Sequence, residues 1–109
     1  MSKYFVEASG ESHLEAFPGV NLRSVTGQQL MISVVDLAPH AVVALHAHPH
    51  EQMGMLLEGE LDFTIGDERR TVKPGEFWRI PGGVEHGCVA GETPAKAIDI
   101  FHPPREDYQ

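Results

Sequence analysis

The residue types able to do chemistry in this 109-residue chain gather around one short segment, His46-Ala47-His48-Pro49-His50-Glu51-Gln52. Side chains alternate faces along a strand, so His46 and His48 project to the same side, at a separation that suits two imidazoles on one ion. Val42 and Ala44 precede them on that face, which predicts a small, dry approach to the site. Pro49 ends the strand, and the chain can then carry Gln52 back towards the same ion. Glu51 is adjacent, and a one-residue shift would substitute it. A fourth ligand has to come from elsewhere. His86 is the best candidate, because Pro81-Gly82-Gly83-Val84-Glu85 is a rigid turn that launches its strand at a fixed angle. A single histidine in a strand is ordinarily a surface or hydrogen-bonded residue; the combined spacing is what points to a metal.

Three neutral imidazoles and an amide oxygen would leave a divalent ion its full charge, making it a stronger Lewis acid and a better anchor for an anion. Without thiolate, Zn, Ni, Fe(II), Mn and Co all remain open, and Cys88 is expected to stay out of the site although it lies two residues past His86. His13, His40, His50 and His102 fall outside this constellation, and His50 reads as an exposed loop residue.

These groups must be positioned by short strands. Eleven glycines and eight prolines divide the chain at short intervals, and between them lie apolar runs of strand length: Leu30 to Leu37, Val42 to His48, Met53 to Leu57, Glu60 to Ile65, Arg69 to Lys73, Glu76 to Ile80, Glu85 to Ala90 and Ala95 to Phe101. Closely spaced strands with turn signals indicate an all-β sandwich or barrel, and no stretch after residue 30 sustains a helical apolar stripe. The first thirty residues are ambiguous, with a short strand expected near Tyr4 to Val6. The final strand puts Ala97, Asp99 and Phe101 on one face and Ile98 and Ile100 on the other. Asp99 then either faces inward, where a buried carboxylate needs a metal or an arginine, or faces solvent on an edge strand. Periodicity leaves both open.

Residues 46 to 59 read HxHxxxQxxxxxxG, and residues 75 to 86 read GxxxxxPxGxxH. This pair resembles the two signature motifs of the cupin superfamily, spanning about 40–59 and 75–90. The resemblance implies a single cupin domain over residues 1–109, a double-stranded β-helix or jelly-roll barrel holding one divalent metal through His46, His48, Gln52 and His86. Two departures stand out: Gln52 where most cupins carry glutamate, and Ala90 where the second motif often ends in asparagine. The run HAHPHEQ, followed by LLEGELDFTIGDE, IPGGVEHG and DIFHPPREDY, is similar to the KdgF family of small cupins. That resemblance covers about Pro39 to Tyr108. It implies ring opening and ketonisation of 4,5-unsaturated uronates from pectin or alginate breakdown, with Asp99, Phe101 and Arg105 as catalytic residues. For Arg105 the ordinary alternative is a surface residue in the polar tail Pro103 to Asp107. Rival functions are a metal-dependent dioxygenase acting on a small organic acid or phenol, and a non-catalytic ligand-binding cupin.

Composition narrows the partners. Eight Lys and Arg stand against 16 Asp and Glu, and a formal charge of −8 disfavours nucleic acid and anionic membranes. A small anionic carbohydrate or organic acid is the expected substrate, and a homodimer the expected assembly. The start, MSKYFVEASGES, lacks the apolar core of a secretory signal, and one cysteine permits no internal disulfide, so a cytoplasmic location is expected.

Overall fold

The computed structural model describes residues 2–109. Ten strands follow one another: β1 Ser12–Phe17, β2 Val20–Thr26, β3 Met31–Leu37, β4 Val42–His46, β5 Glu51–Glu58, β6 Leu61–Ile65, β7 Glu68–Val72, β8 Phe77–Ile80, β9 His86–Ala90 and β10 Ala95–His102. A 3₁₀ turn, Glu106–Tyr108, closes the chain. The strands form a six-stranded sheet in the order β1-β2-β3-β10-β5-β8 and a four-stranded sheet in the order β4-β9-β6-β7, antiparallel throughout. The expected all-β barrel architecture is therefore present. No helix among the described residues is long and apolar enough to cross a membrane.

Alternation along the central strands sets the interior. In β3, Met31, Ser33, Val35 and Leu37 are buried, and in β10 so are Ala95, Ala97, Asp99 and Phe101. Of these, Val35, Leu37, Ala95 and Ala97 share one core cluster with Leu61, Phe63 and Ala90 of the smaller sheet. Register then places Ser24, Ser33, Asp99, Gly54 and Trp78 in one row across the larger sheet. The two serine hydroxyls hydrogen-bond at 2.7 Å, satisfying each other inside the barrel. Gly54 occupies that row because nothing larger fits: a Cβ there would collide with the Asp99 carboxylate and the Trp78 indole.

Three expectations need correction. Tyr4 to Val6 is irregular and exposed; the ordered N-terminal structure is the β1–β2 hairpin, which adds to the edge of the larger sheet. Half of β1 is exposed and none of it is fully buried, so its sequence shows no clean alternation. Strand β4 ends at His46 rather than His48, and β5 begins two residues before Met53. A glycine-to-alanine pair checks the packing argument: Gly54→Ala should lose about 1–3 kcal/mol in denaturant unfolding, the usual cost of overpacking. Gly91→Ala, whose new methyl would meet nothing closer than 3.7 Å, should change stability little.

Candidate metal centre

His46 is the last residue of β4 and pairs with His86, the first residue of β9. Between Val43 and His46 the register slips, so β4 carries one residue more than the facing stretch of β9. This bulge changes the parity of the strand. Val43 lines the cavity, whereas Val42 and Ala44, expected on the histidine face, are exposed. Gly87 makes the bulge possible, since a Cβ there would lie 2.7 Å from the Val43 carbonyl oxygen and 3.0 Å from the Leu45 nitrogen. His48 follows in the connection to β5, and Gln52 points inward as the second residue of β5. Glu51 is exposed on the opposite face.

Each of His46, His48 and His86 offers a ring nitrogen within 4.8 Å of the other two. Their backbone partners decide which nitrogen. Nδ1 of His46 donates to the Ala44 carbonyl at 2.8 Å, Nδ1 of His48 to the His50 carbonyl at 3.1 Å, and Nδ1 of His86 to the Val84 carbonyl at 2.9 Å. A carbonyl oxygen only accepts, so each neutral ring carries its proton on Nδ1 and presents a bare lone pair on Nε2. Burial, with a contribution from the Arg105 charge, lowers the pKa of His48 from 6.5 to about 4; burial likewise lowers that of His86. Both rings are thus neutral at pH 7. Nε2 of His86 is buried without a partner among the described residues. Nε2 of His48 lies 3.0 Å from Oε1 of Gln52, two lone-pair acceptors facing each other. A divalent cation satisfies both observations, so the residues fit a metal.

Asp99 lines the same cavity as Gln52, and its Oδ1 accepts from Nε1 of Trp78 at 2.8 Å. Asp99 therefore faces inward and is buried. Burial pushes its pKa up from 3.8 to about 6, against the opposing pull of Gln52, Trp78 and Arg105. Cys88 lines the same cavity, but it is outside the histidine cluster and burial pushes its thiol up to about 12, which keeps it protonated.

Arg105 is buried rather than a surface tail residue. Its Nε and Nη2 donate to Asp107 at 3.2 and 2.8 Å, and its Nη1 to the Tyr108 hydroxyl at 3.0 Å. The guanidinium lies 4.0 Å from the Tyr108 ring centroid and 5.3 Å from that of Phe101, whose edge in turn meets His48. The 3₁₀ turn is tied down through the Ser12 hydroxyl, which donates to the Tyr108 carbonyl at 2.7 Å. The result is a cavity of about 60 Å³ lined by His46, Gln52, His86, Asp99, Phe101 and Arg105 together with mostly apolar side chains. His50, expected to be exposed, is buried; its carbonyl orients His48 and its Nε2 lies 3.4 Å from Glu106. Trp78, Asp107 and Tyr108 were not legible as site residues. Trp78 alone had a signal, the inward phase it shares with Ile80.

Comparison with known proteins places this arrangement. Residues 33–101 match the cupin domain family. The pectin degradation protein KdgF of Dickeya dadantii (strain 3937) is 28% identical over 110 residues, covering 99% of each chain. Among solved structures, an RmlC-like cupin from Shewanella frigidimarina superposes with a TM-score of 0.88 at 26% identity, covering 99% of this chain and 97% of that one. KdgF from Halomonas sp. superposes with a TM-score of 0.86 at 28% identity, covering the whole of both chains.

The pKa shifts carry a stability consequence with opposing signs. Folded His48 titrates near 4 rather than 6.5, so its contribution is full above pH 6.5 and is lost as pH falls towards 4. Folded Asp99 titrates near 6 rather than 3.8, so its contribution is full below pH 3.8 and is lost as pH rises through 6. On acidification the two offset. In metal-free protein, Asp99→Asn should therefore lose stability more steeply than wild type between pH 6 and 4, read from denaturant midpoints normalised at pH 7. Parallel profiles would show that Asp99 is not held neutral by the fold.

Proposed function

We propose, from the premise that the chain belongs to the cupin domain family, that it is a metal-dependent enzyme for non-oxidative ring opening and ketonisation of 4,5-unsaturated uronates. The observation that carries this reading is the meeting of a buried carboxyl, Asp99, and a buried guanidinium, Arg105, with His46 and His86 of the three-histidine cluster in one cavity. The full-length similarity to pectin degradation protein KdgF supports the substrate class.

His46, His48, His86 and Gln52 would hold the ion through three Nε2 atoms and Oε1. When bound, the metal supplies Lewis acidity and a fixed positive charge for an anionic substrate. The remaining work belongs to side chains. Three of the five N–H groups of Arg105 are engaged by Asp107 and Tyr108, leaving two, the number a substrate carboxylate takes in a bidentate pair. Asp107 shares the charge, so Arg105 contributes direction as well as attraction. Phe101, buried between His48 and Arg105, keeps both groups in place and helps exclude water. Asp99 moves the protons. It takes the hemiacetal hydroxyl proton as the ring C–O bond breaks to give an aldehyde and an enolate, then delivers that same proton to the enolate carbon to leave a ketone. The sum is an isomerisation, with no oxidant or co-reactant. A pKa near 6 suits a group that must both accept and release a proton around neutrality.

The test follows the ultraviolet absorbance of a freshly generated unsaturated uronate. Its conjugated double bond should disappear faster with the protein. Asp99→Asn should cut the rate about 10²–10⁴-fold, the range for general acid–base groups, with metal content unchanged. Arg105→Ala should act mainly by raising KM. Dissolved oxygen should stay constant; uptake with Fe(II) would instead identify a dioxygenase. Metal itself is checked separately: chelator-stripped protein should take up one Zn(II) or Co(II) per chain, and His86→Ala should weaken that binding at least ~100-fold.

A further inference from the structure

The C-terminal turn carries a hydroxyl whose hydrogen bonding is only half complete. Oη of Tyr108 accepts from Nη1 of Arg105 at 3.0 Å. A phenol also has a proton to donate, and a guanidinium has no lone pair to receive it. Among the described residues, that proton meets no acceptor. Burial raises the Tyr108 pKa above 10 against the pull of Arg105, so the proton stays in place at neutral pH. The side chain is also well held. The Arg105 guanidinium lies over its ring at 4.0 Å, the Phe101 ring meets it edge-on at 5.6 Å, and Ser12 ties its backbone carbonyl. A donor fixed in this way needs no reorganisation when a negative charge forms beside it.

Its position is at the threshold of the site. Tyr108 lines the inner cavity with His86 and Asp99, and it also lines an outer recess of about 200 Å³ with Leu14 and Glu15. Phe17, His46 and Arg105 belong to both. The inner cavity, about 60 Å³, is well below the roughly 300–1,000 Å³ of ordinary ligand sites. A sugar that reaches the histidines must therefore span the two spaces and pass Tyr108. The reaction brings charge to the same place. As the bond from the anomeric carbon to the ring oxygen breaks, its electron pair stays on the ring oxygen, which becomes the enolate oxygen. In a 4,5-unsaturated uronate that oxygen and the carboxylate are attached to the same carbon. A carboxylate paired with Arg105 thus sets the ring oxygen beside the group that Arg105 already touches, the Tyr108 hydroxyl.

We propose that Tyr108 is a further catalytic residue of the ketonisation proposed above, on which this inference rests: its hydroxyl donates a hydrogen bond to the ring oxygen as that oxygen becomes an enolate. The proton stays on Tyr108 throughout. When Asp99 delivers its proton to the enolate carbon, the charge on oxygen passes into the ketone C=O bond and the hydrogen bond weakens. Steady-state kinetics of the metal-loaded full chain, followed by the loss of ultraviolet absorbance, test it. Tyr108→Phe keeps the ring against Arg105 and removes only the hydroxyl. It should cut kcat about 10²–10³-fold, the range for one oxyanion donor, with KM and metal content little changed. Ser12→Ala provides the contrast, since it loosens the turn and keeps the hydroxyl; its loss should fall on KM. An unchanged kcat in Tyr108→Phe, or a loss confined to KM as in Ser12→Ala, overturns the inference and leaves the ketonisation reading standing. A wild type that does not accelerate the reaction overturns both.

Discussion

Three backbone carbonyls, those of Ala44, His50 and Val84, each accept the Nδ1 proton of a histidine and so aim three Nε2 lone pairs at one point. This constraint organises the rest of the site. It requires the β4 bulge, which brings His46 into phase with His86 across the strand pair, and it requires Gly87 beneath that bulge. It also requires burial, which keeps His48 and His86 neutral and leaves the Nε2 of His86 without a protein partner. A polar atom buried without a partner costs free energy unless something binds it, and here the same geometry that creates the cost supplies a cradle for a cation.

Behind the histidines, Gln52 and Asp99 form a single unit. The amide oxygen lies 3.0 Å from Nε2 of His48, while the amide also opposes the upward push that burial gives the Asp99 pKa, so it serves two different groups. This accounts for glutamine where most cupins have glutamate. A carboxylate at position 52 would face Asp99 with like charge inside a dry cavity and would have no proton to donate to it at pH 7. Trp78 supplies the other donor to Asp99, and Gly54 leaves the space in which carboxyl and indole meet. The identity of Gln52 is therefore tied to a carboxyl on another strand, β10.

The three-histidine cluster was readable in the sequence because the two motif spacings are local patterns. Other features depend on long-range register and were not readable. Alternation grouped Asp99 with Phe101 but could not say which face points inward; glycine at position 54 was the available clue, since an interior strand glycine often marks a close approach. The β4 bulge hid the true phase of Val42 and Val43, because it is visible only against β9. Arg105 lies in an irregular tail with no periodicity at all, and its burial rests on contacts with Phe101, Asp107 and Tyr108. His50 looked like loop surface because the fold-back of the C-terminal turn that covers it leaves no mark on the HAHPHEQ segment. The β1–β2 hairpin was missed for a simpler reason: half of β1 is exposed and none of it is fully buried.

A preorganised cation site requires one tautomer in all three histidines. Long-range ¹H–¹⁵N NMR of the metal-free protein at pH 7 reports directly which ring nitrogen carries the proton. His48 and His86 should appear as neutral rings protonated on Nδ1, and His46 should hold its Nδ1 proton against the Ala44 carbonyl, with Nε2 signals that shift together when a divalent ion is added. A neutral ring protonated on Nε2 in any of the three, or a doubly protonated His48 or His86, would contradict the preorganised site on which the proposed chemistry rests.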